Sequence, residues 1–299
     1  MEKVHFNIDT NNIDIENRKL ADKLLKESII IDIINELNIN TNTIYNNPYP
    51  FLQYYNSKKE CTECNGLIYC KKTIKGMCDG LSEDNELYLK PCDYKKEYSE
   101  KYKYKKNIII NYMPDSFKDV SIKTSKIDRD DKEQVKVFSK IITWIKNPVY
   151  PGFYIYGSYG TGKTHILSCI VNDLAKLNYK TGYIYTIDFV IKMREKMLDN
   201  DSYLDEIEKI KNLDILAFDD MGAEKMSDWA RDELFMPILN YRMENKLITL
   251  FSSNESLVSL KSKISKASND EVAKERFMER IRTLTNQIVL DGKSKRIQN

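Results

Sequence analysis

Between residues 20 and 37 apolar side chains recur at helical spacing: Leu20, Leu24, Ile31, Ile34 and Leu37, with Leu25, Ile30 and Ile33 beside them. That stripe predicts an amphipathic helix that must cover its apolar face with a partner surface. It ends in the Asn-rich segment 38–47 and a turn around Pro48 and Pro50. Residues 95–106 are charged and tyrosine-laced with no apolar period, which predicts a linker. From about Met113 the pattern changes to short apolar runs alternating with helical ones. Strands are predicted at 153–156, 183–186, 215–218, 248–252 and 287–290, and helices at 166–177 and 271–284. This alternation predicts an α/β fold, a parallel sheet covered by helices, over 113–299. Residues 1–94 then form a small, mainly helical domain joined to it by a linker at 95–112. No internal repeat is present.

Composition narrows the class more than the function. Hydrophobic residues make up 41% and charged residues 31% of the 299, as in a water-soluble globular protein. Lys+Arg at 47 and Asp+Glu at 45 nearly cancel, so any nucleic-acid contact has to come from a local patch. Apolar runs are too short for a membrane span, since 29–37 is interrupted by Asp32, Asn35 and Glu36. An N-terminus carrying Asp9, Asp14 and Glu16 is not a secretory signal, and a cytoplasmic, membrane-free protein is expected.

The strongest chemical signal is Gly157-Ser158-Tyr159-Gly160-Thr161-Gly162-Lys163-Thr164, set between a predicted strand and a predicted helix. In that context the spacing is a phosphate-binding loop, because curling successive backbone N–H groups around phosphates leaves no room for Cβ atoms. Lys163 reaches the outer phosphates and Thr164 offers a hydroxyl to Mg2+, with His165 next in line. The N-terminus of the following helix adds its partial positive charge.

Leu213 to Phe218 is a mostly apolar run that stops at Asp219-Asp220, so two carboxylates emerge at the carboxyl end of a buried strand. Asp219 is placed to hold the Mg2+ shell, and Asp220 to orient or deprotonate the water that attacks the γ-phosphate. The run 248–251 ends in Ser252-Ser253-Asn254, and an amide at that tip bridges γ-phosphate and water. Residues 271–284 carry Arg276, Arg280 and Arg282, and the tail carries Lys293, Lys295 and Arg296. Guanidinium groups there suit transition-state charge, within the subunit or from a neighbour. A basic and aromatic cluster of Lys192, Arg194 and Lys196 with Phe189 and Tyr203 suits a single nucleic-acid strand.

Cys61 and Cys64, spaced as a knuckle, are followed by Cys70, Cys78 and Cys92. In a cytosolic chain such a cluster predicts thiolate ligation of Zn2+. Four ligands close a tetrahedral site, and Cys61, Cys64, Cys78 and Cys92 are the expected set with Cys70 as the alternate. Cys169 reads as a small core residue.

The run 219–224 (DDMGAE), the tip 251–254 (FSSN), the helix 276–282 (RFMERIR) and the ending 292–296 (GKSKR) resemble the AAA+ ATPase of the bacterial DnaI/DnaC helicase loaders. The resemblance runs from about Met113 to Arg296. It implies ATP, Asn254 as sensor 1, Arg280 as a finger acting on a neighbour's ATP, and Arg296 beside Lys295 as sensor 2. It also implies a hexameric replicative DNA helicase and single-stranded DNA as partners, self-association through the ATPase domain, and an initiator protein. Transposition-helper ATPases of the IstB type share most of these motifs. Asp220 stands where many such ATPases carry Glu, which also fits a slowly hydrolysing, ATP-gated scaffold.

Overall fold

The computed structural model describes residues 10–125, 131–197, 199–223, 226–265, 270–292 and 294. The chain divides into two compact units, Met1–Lys103 and Tyr104–Asn299.

The first unit holds α1 (Thr10–Leu24), α2 (Ser28–Leu37), α3 (Thr41–Asn46) and α4 (Tyr49–Lys59), then a hairpin of β1 (Met77–Leu81) and β2 (Leu87–Pro91), then α5 (Asp93–Tyr102). The single stripe expected at 20–37 is two helices. Ala21 and Leu24 face the same core as Ile30 and Ile33, and the extended backbone at Glu27 makes the break that lets both sets point inward. Asn-rich 38–47 is a short capped helix: Asn38 closes α2 in the left-handed region, and the Asn40 side chain accepts the Asn42 N–H at 2.9 Å. Ile44 and Phe51 complete this core.

Residues 95–112 differ from the expected linker. Helix α5 buries none of its residues and is supported by pairs such as Lys96–Asp93, so no apolar period betrays it. Ile108–Asn111 then forms β3, an edge strand whose Ile108 and Ile110 are buried.

In the second unit β3 is followed by α6 (Lys132–Lys146), β4 (Gly152–Tyr156), α7 (Lys163–Lys176), β5 (Thr181–Tyr185), α8 (Thr186–Lys196), α9 (Asn200–Lys211) and β6 (Ile215–Asp219). A π-helical stretch (Ala230–Phe235) runs into α10 (Met236–Glu244), and β7 (Ile248–Ser253), α11 (Leu257–Ser265), α12 (Glu271–Leu284) and β8 (Thr285–Val289) complete the unit. The six strands lie in the order β3-β5-β6-β7-β4-β8, every neighbouring pair parallel. Both faces are covered. One core gathers Phe189, Phe218, Phe235, Phe251 and Phe277, the other Phe138, Ile141, Ile166, Ile170 and Leu174. Every residue of β6 and β7 is buried, which is why their sequences read as continuous apolar runs and not as alternation.

Buried Arg242 of α10 fixes where the two central strands begin. Its guanidinium donates to the carbonyls of Leu213 and Ile248, both at 2.7 Å, and to Thr249 Oγ1 at 2.9 Å. Burial pulls its pKa down to about 9, and the ring of acceptors opposes that cost. The far ends of the same strands carry the candidate chemistry.

Candidate active site

Strand β4 delivers the chain to the glycine loop, and α7 carries it away. Gly157 has to be glycine because a Cβ there would lie 2.2 Å from the carbonyl oxygen of Leu290, which follows β8. Gly162 caps α7 with φ 101°, a conformation that disfavours every side chain. The loop is braced from outside as well: Ser158 donates its N–H and its hydroxyl to Asp291 Oδ1 at 3.2 and 3.3 Å. Buried Lys163 donates Nζ to the carbonyls of Gly157 at 2.9 Å and Ser158 at 2.7 Å. Its ammonium is thus held over the loop, ready to exchange carbonyls for phosphate.

Sheet order places β7 between the loop strand β4 and the carboxylate strand β6. Asp219, at the end of β6, is buried and lies 3.3 Å through Oδ1 from Thr164 Oγ1. Ser252 of β7 donates its hydroxyl to the same oxygen. Tyr183 of β5 donates to Oδ2 at 2.6 Å. Burial pushes the Asp219 carboxyl above its ordinary range, the Asp220 charge adds to the rise, and the three hydroxyls work against it.

Asp220 is half-buried in the left-handed region at φ 60°. That turn is stapled from the end of β7 on one side and from the first residue of α8, just after β5, on the other. Its N–H donates to Ser252 Oγ at 3.0 Å, its carbonyl accepts from Thr186 Oγ1 at 3.1 Å, and the Asn254 amide donates to Oδ1 at 2.7 Å. The expected grouping of Asp219, Asp220 and Asn254 beside Thr164 is therefore formed. Thr164 and Asp219 fit a Mg2+ shell, where the ion would neutralise phosphate charge.

These residues line a cavity of about 1130 Å³ that continues away from the loop into an apolar end with Met113, Phe117, Val120 and Phe138. An anion-binding end joined to an apolar end suits a nucleotide, phosphates at one side and a flat ring at the other. His165 belongs to the ring end: its imidazole meets Phe117 edge-on at 5.6 Å. Cys169 lies beneath it, buried, with its thiol pushed up to about 12 by that burial, as a core residue.

Other expected residues fall elsewhere. Arg280 does not belong to the cavity wall; its Nε donates to Asn240 Oδ1 at 2.7 Å. Arg276, one turn earlier on α12, is exposed. Arg296, with Lys293 and Lys295, lies outside the described residues. Lys192 and Arg194 are exposed on α8 over the rings of Tyr112 and Trp229, at 4.3 and 5.3 Å, while Lys196 pairs with Glu206. Tyr183, Thr186 and Asp291 belong to no motif, and Ser252 lies in the 251–254 tip with no expected role of its own.

The cysteine module corrects the expected Zn2+ site. Among the described residues no group of three or more His, Cys, Asp or Glu side chains is placed to hold a metal ion. Cys78 is buried on β1 opposite Lys90, Cys92 precedes α5 with its N–H on the Gly76 carbonyl, and Cys70 Sγ accepts the Gly76 N–H at 3.3 Å. Burial raises the Cys61 thiol, and the thiols near enough to add to that rise are Cys78, Cys64 and Cys70. The residues as placed do not fit zinc.

Comparisons with known proteins agree with the ATPase geometry. Residues 129–270 match the family described as the bacterial DnaA ATPase domain. The replicative helicase loader DnaI of Bacillus subtilis (strain 168) is 27% identical over 96% of this chain and 96% of its own length. A crystal structure of DnaI superposes with a TM-score of 0.54 at 30% identity, covering 64% of this chain and 99% of that one. The crystal structure of the DnaC helicase loader, at 22% identity and a TM-score of 0.51, covers 60% of this chain and all of its own; it shares the fold. Among the described residues no helix is long and apolar enough to cross a membrane.

Proposed function

This chain belongs to the DnaI/DnaC type of bacterial replicative helicase loaders, and we propose on that premise that it is an ATPase that delivers the hexameric replicative helicase onto single-stranded DNA. The observation that carries the ATP-driven part is the Asp220–Asn254 hydrogen bond at 2.7 Å, set beside Thr164 and Asp219 at the mouth of the phosphate loop. It joins a group suited to the attacking water to one suited to reporting the γ-phosphate. Bound nucleotide thereby bears on the ends of β6 and β7 together, and through them on the grip of the loader on its partners. An initiator protein and a second copy of the chain remain part of this proposal, with Arg280 acting across the boundary between copies.

The test is recovery of partners on the full chain as bait, with ATP or ADP present. The hexameric replicative helicase is the expected prey, in amounts that differ between the two nucleotides. Recovery of a transposase in its place would overturn the reading in favour of a transposition helper.

Strand contact is proposed for the exposed Lys192 and Arg194, whose aromatic neighbours Tyr112 and Trp229 keep cation and ring together. Replacing both by alanine is expected to weaken single-strand binding and flatten its salt dependence by about one phosphate contact each. Titrations that superpose on those of the unaltered chain at low and high salt would remove this surface from the proposal.

A further inference from the structure

Tyr183 has no part in the phosphate loop, the strand-end carboxylates or the amide tip, and it does not line the cavity. It is fully buried in the middle of β5, whose Tyr185 at the strand's end does line the cavity. The Tyr183 hydroxyl nevertheless reaches across to the neighbouring strand and donates to Asp219 Oδ2 at 2.6 Å, the tight contact of an O–H with a charged acceptor.

Acceptor capacity makes this contact consequential. An ionised carboxylate has about four lone-pair sites. Oδ1 of Asp219 already receives Ser252 and Thr164, and Tyr183 takes one site on Oδ2. What is left is a single direction on Oδ2, and a carboxylate pinned from both neighbouring strands cannot rotate to present another.

We propose that Tyr183 is a positioning residue for the magnesium-bound nucleotide: its hydroxyl fixes the orientation of Asp219, and so the direction in which that carboxylate meets the Mg2+ shell. The inference rests on the ATP reading above and adds a residue that acts only through Asp219. Outer groups that orient a metal-binding carboxylate are worth about 10–100-fold in metal affinity when lost.

The experiment is a titration of a fluorescent ATP analogue on the full chain, in excess EDTA and then across a Mg2+ series. Tyr183→Phe is expected to bind the metal-free analogue as the unaltered chain does, and to need about 10-fold more Mg2+ for half of the metal-dependent tightening. Ser252→Ala, which frees the other oxygen, is expected to shift the Mg2+ curve in the same direction. Superposed Mg2+ curves for Tyr183→Phe and the unaltered chain would overturn the proposal. Equal loss of metal-free and metal-bound affinity would overturn it too, since it would mean that the hydroxyl only supports the fold. An unaltered chain that binds no nucleotide at all would instead sink the ATP reading itself.

Discussion

Lys163→Ala is expected to abolish useful ATP binding, weakening it by roughly 10²–10³-fold, about 3–4 kcal/mol. The Lys163 ammonium is buried and spends its hydrogen bonds on the Gly157 and Ser158 carbonyls at 2.9 and 2.7 Å. Phosphate oxygens are stronger partners than those carbonyls because both members of the pair are charged. Alanine removes that gain and also the brace that gathers the two carbonyls under the loop. Helix α7 itself is held by Ile166, Leu167, Ile170, Val171 and Leu174 in the core, so the fold is expected to survive. Equilibrium titration of a fluorescent ATP analogue, with thermal unfolding as the control, reads the result. A folded variant with unaltered affinity would show that the phosphates are held elsewhere.

What the sequence made legible and what it hid divide along the range of the interactions. The phosphate loop is a local device: eight consecutive residues bring their own N–H groups, and the strand and helix around them announce themselves by period. Asp219, Asp220 and Asn254 were readable because each sits at the abrupt end of an apolar run. Tyr183 was not. Its partner Asp219 lies 36 residues away, and in sequence it is one more aromatic residue in a strand already rich in tyrosine. Asp291 is hidden in the same way, 133 residues from the Ser158 it braces.

The first unit shows the opposite error, in which a visible pattern said too much. Cysteine spacing suggested four converging thiols, yet spacing fixes only which residues are near in sequence. The β1–β2 pairing places Cys78 opposite Lys90, and the N–H of Cys92 goes to Gly76, so the hairpin and not the knuckle decides where those side chains stand. Helix α5 escaped for want of an apolar face, and β3 because three isoleucines in a lysine-rich setting make too short a run to outweigh the charges around them.

Asp220→Asn is expected to leave ATP binding intact and to lower turnover by about 10²-fold or more, the usual worth of a positioned general base. The substitution is close to isosteric, and its backbone cost is small: asparagine tolerates the left-handed φ of 60° that this turn imposes. The N–H to Ser252 Oγ is untouched, and an asparagine oxygen still accepts from the Asn254 amide where Asp220 Oδ1 did at 2.7 Å. What disappears is the negative charge proposed to polarise water at the mouth of the cavity. Binding and hydrolysis therefore separate in this variant, whereas they fail together in Lys163→Ala. The measurement is a kcat against KM comparison: a fall confined to kcat assigns the water to Asp220. Turnover equal to that of the unaltered chain would strip Asp220 of its role as base and leave it the part its backbone already plays, a turn that ties the ends of β6 and β7 together.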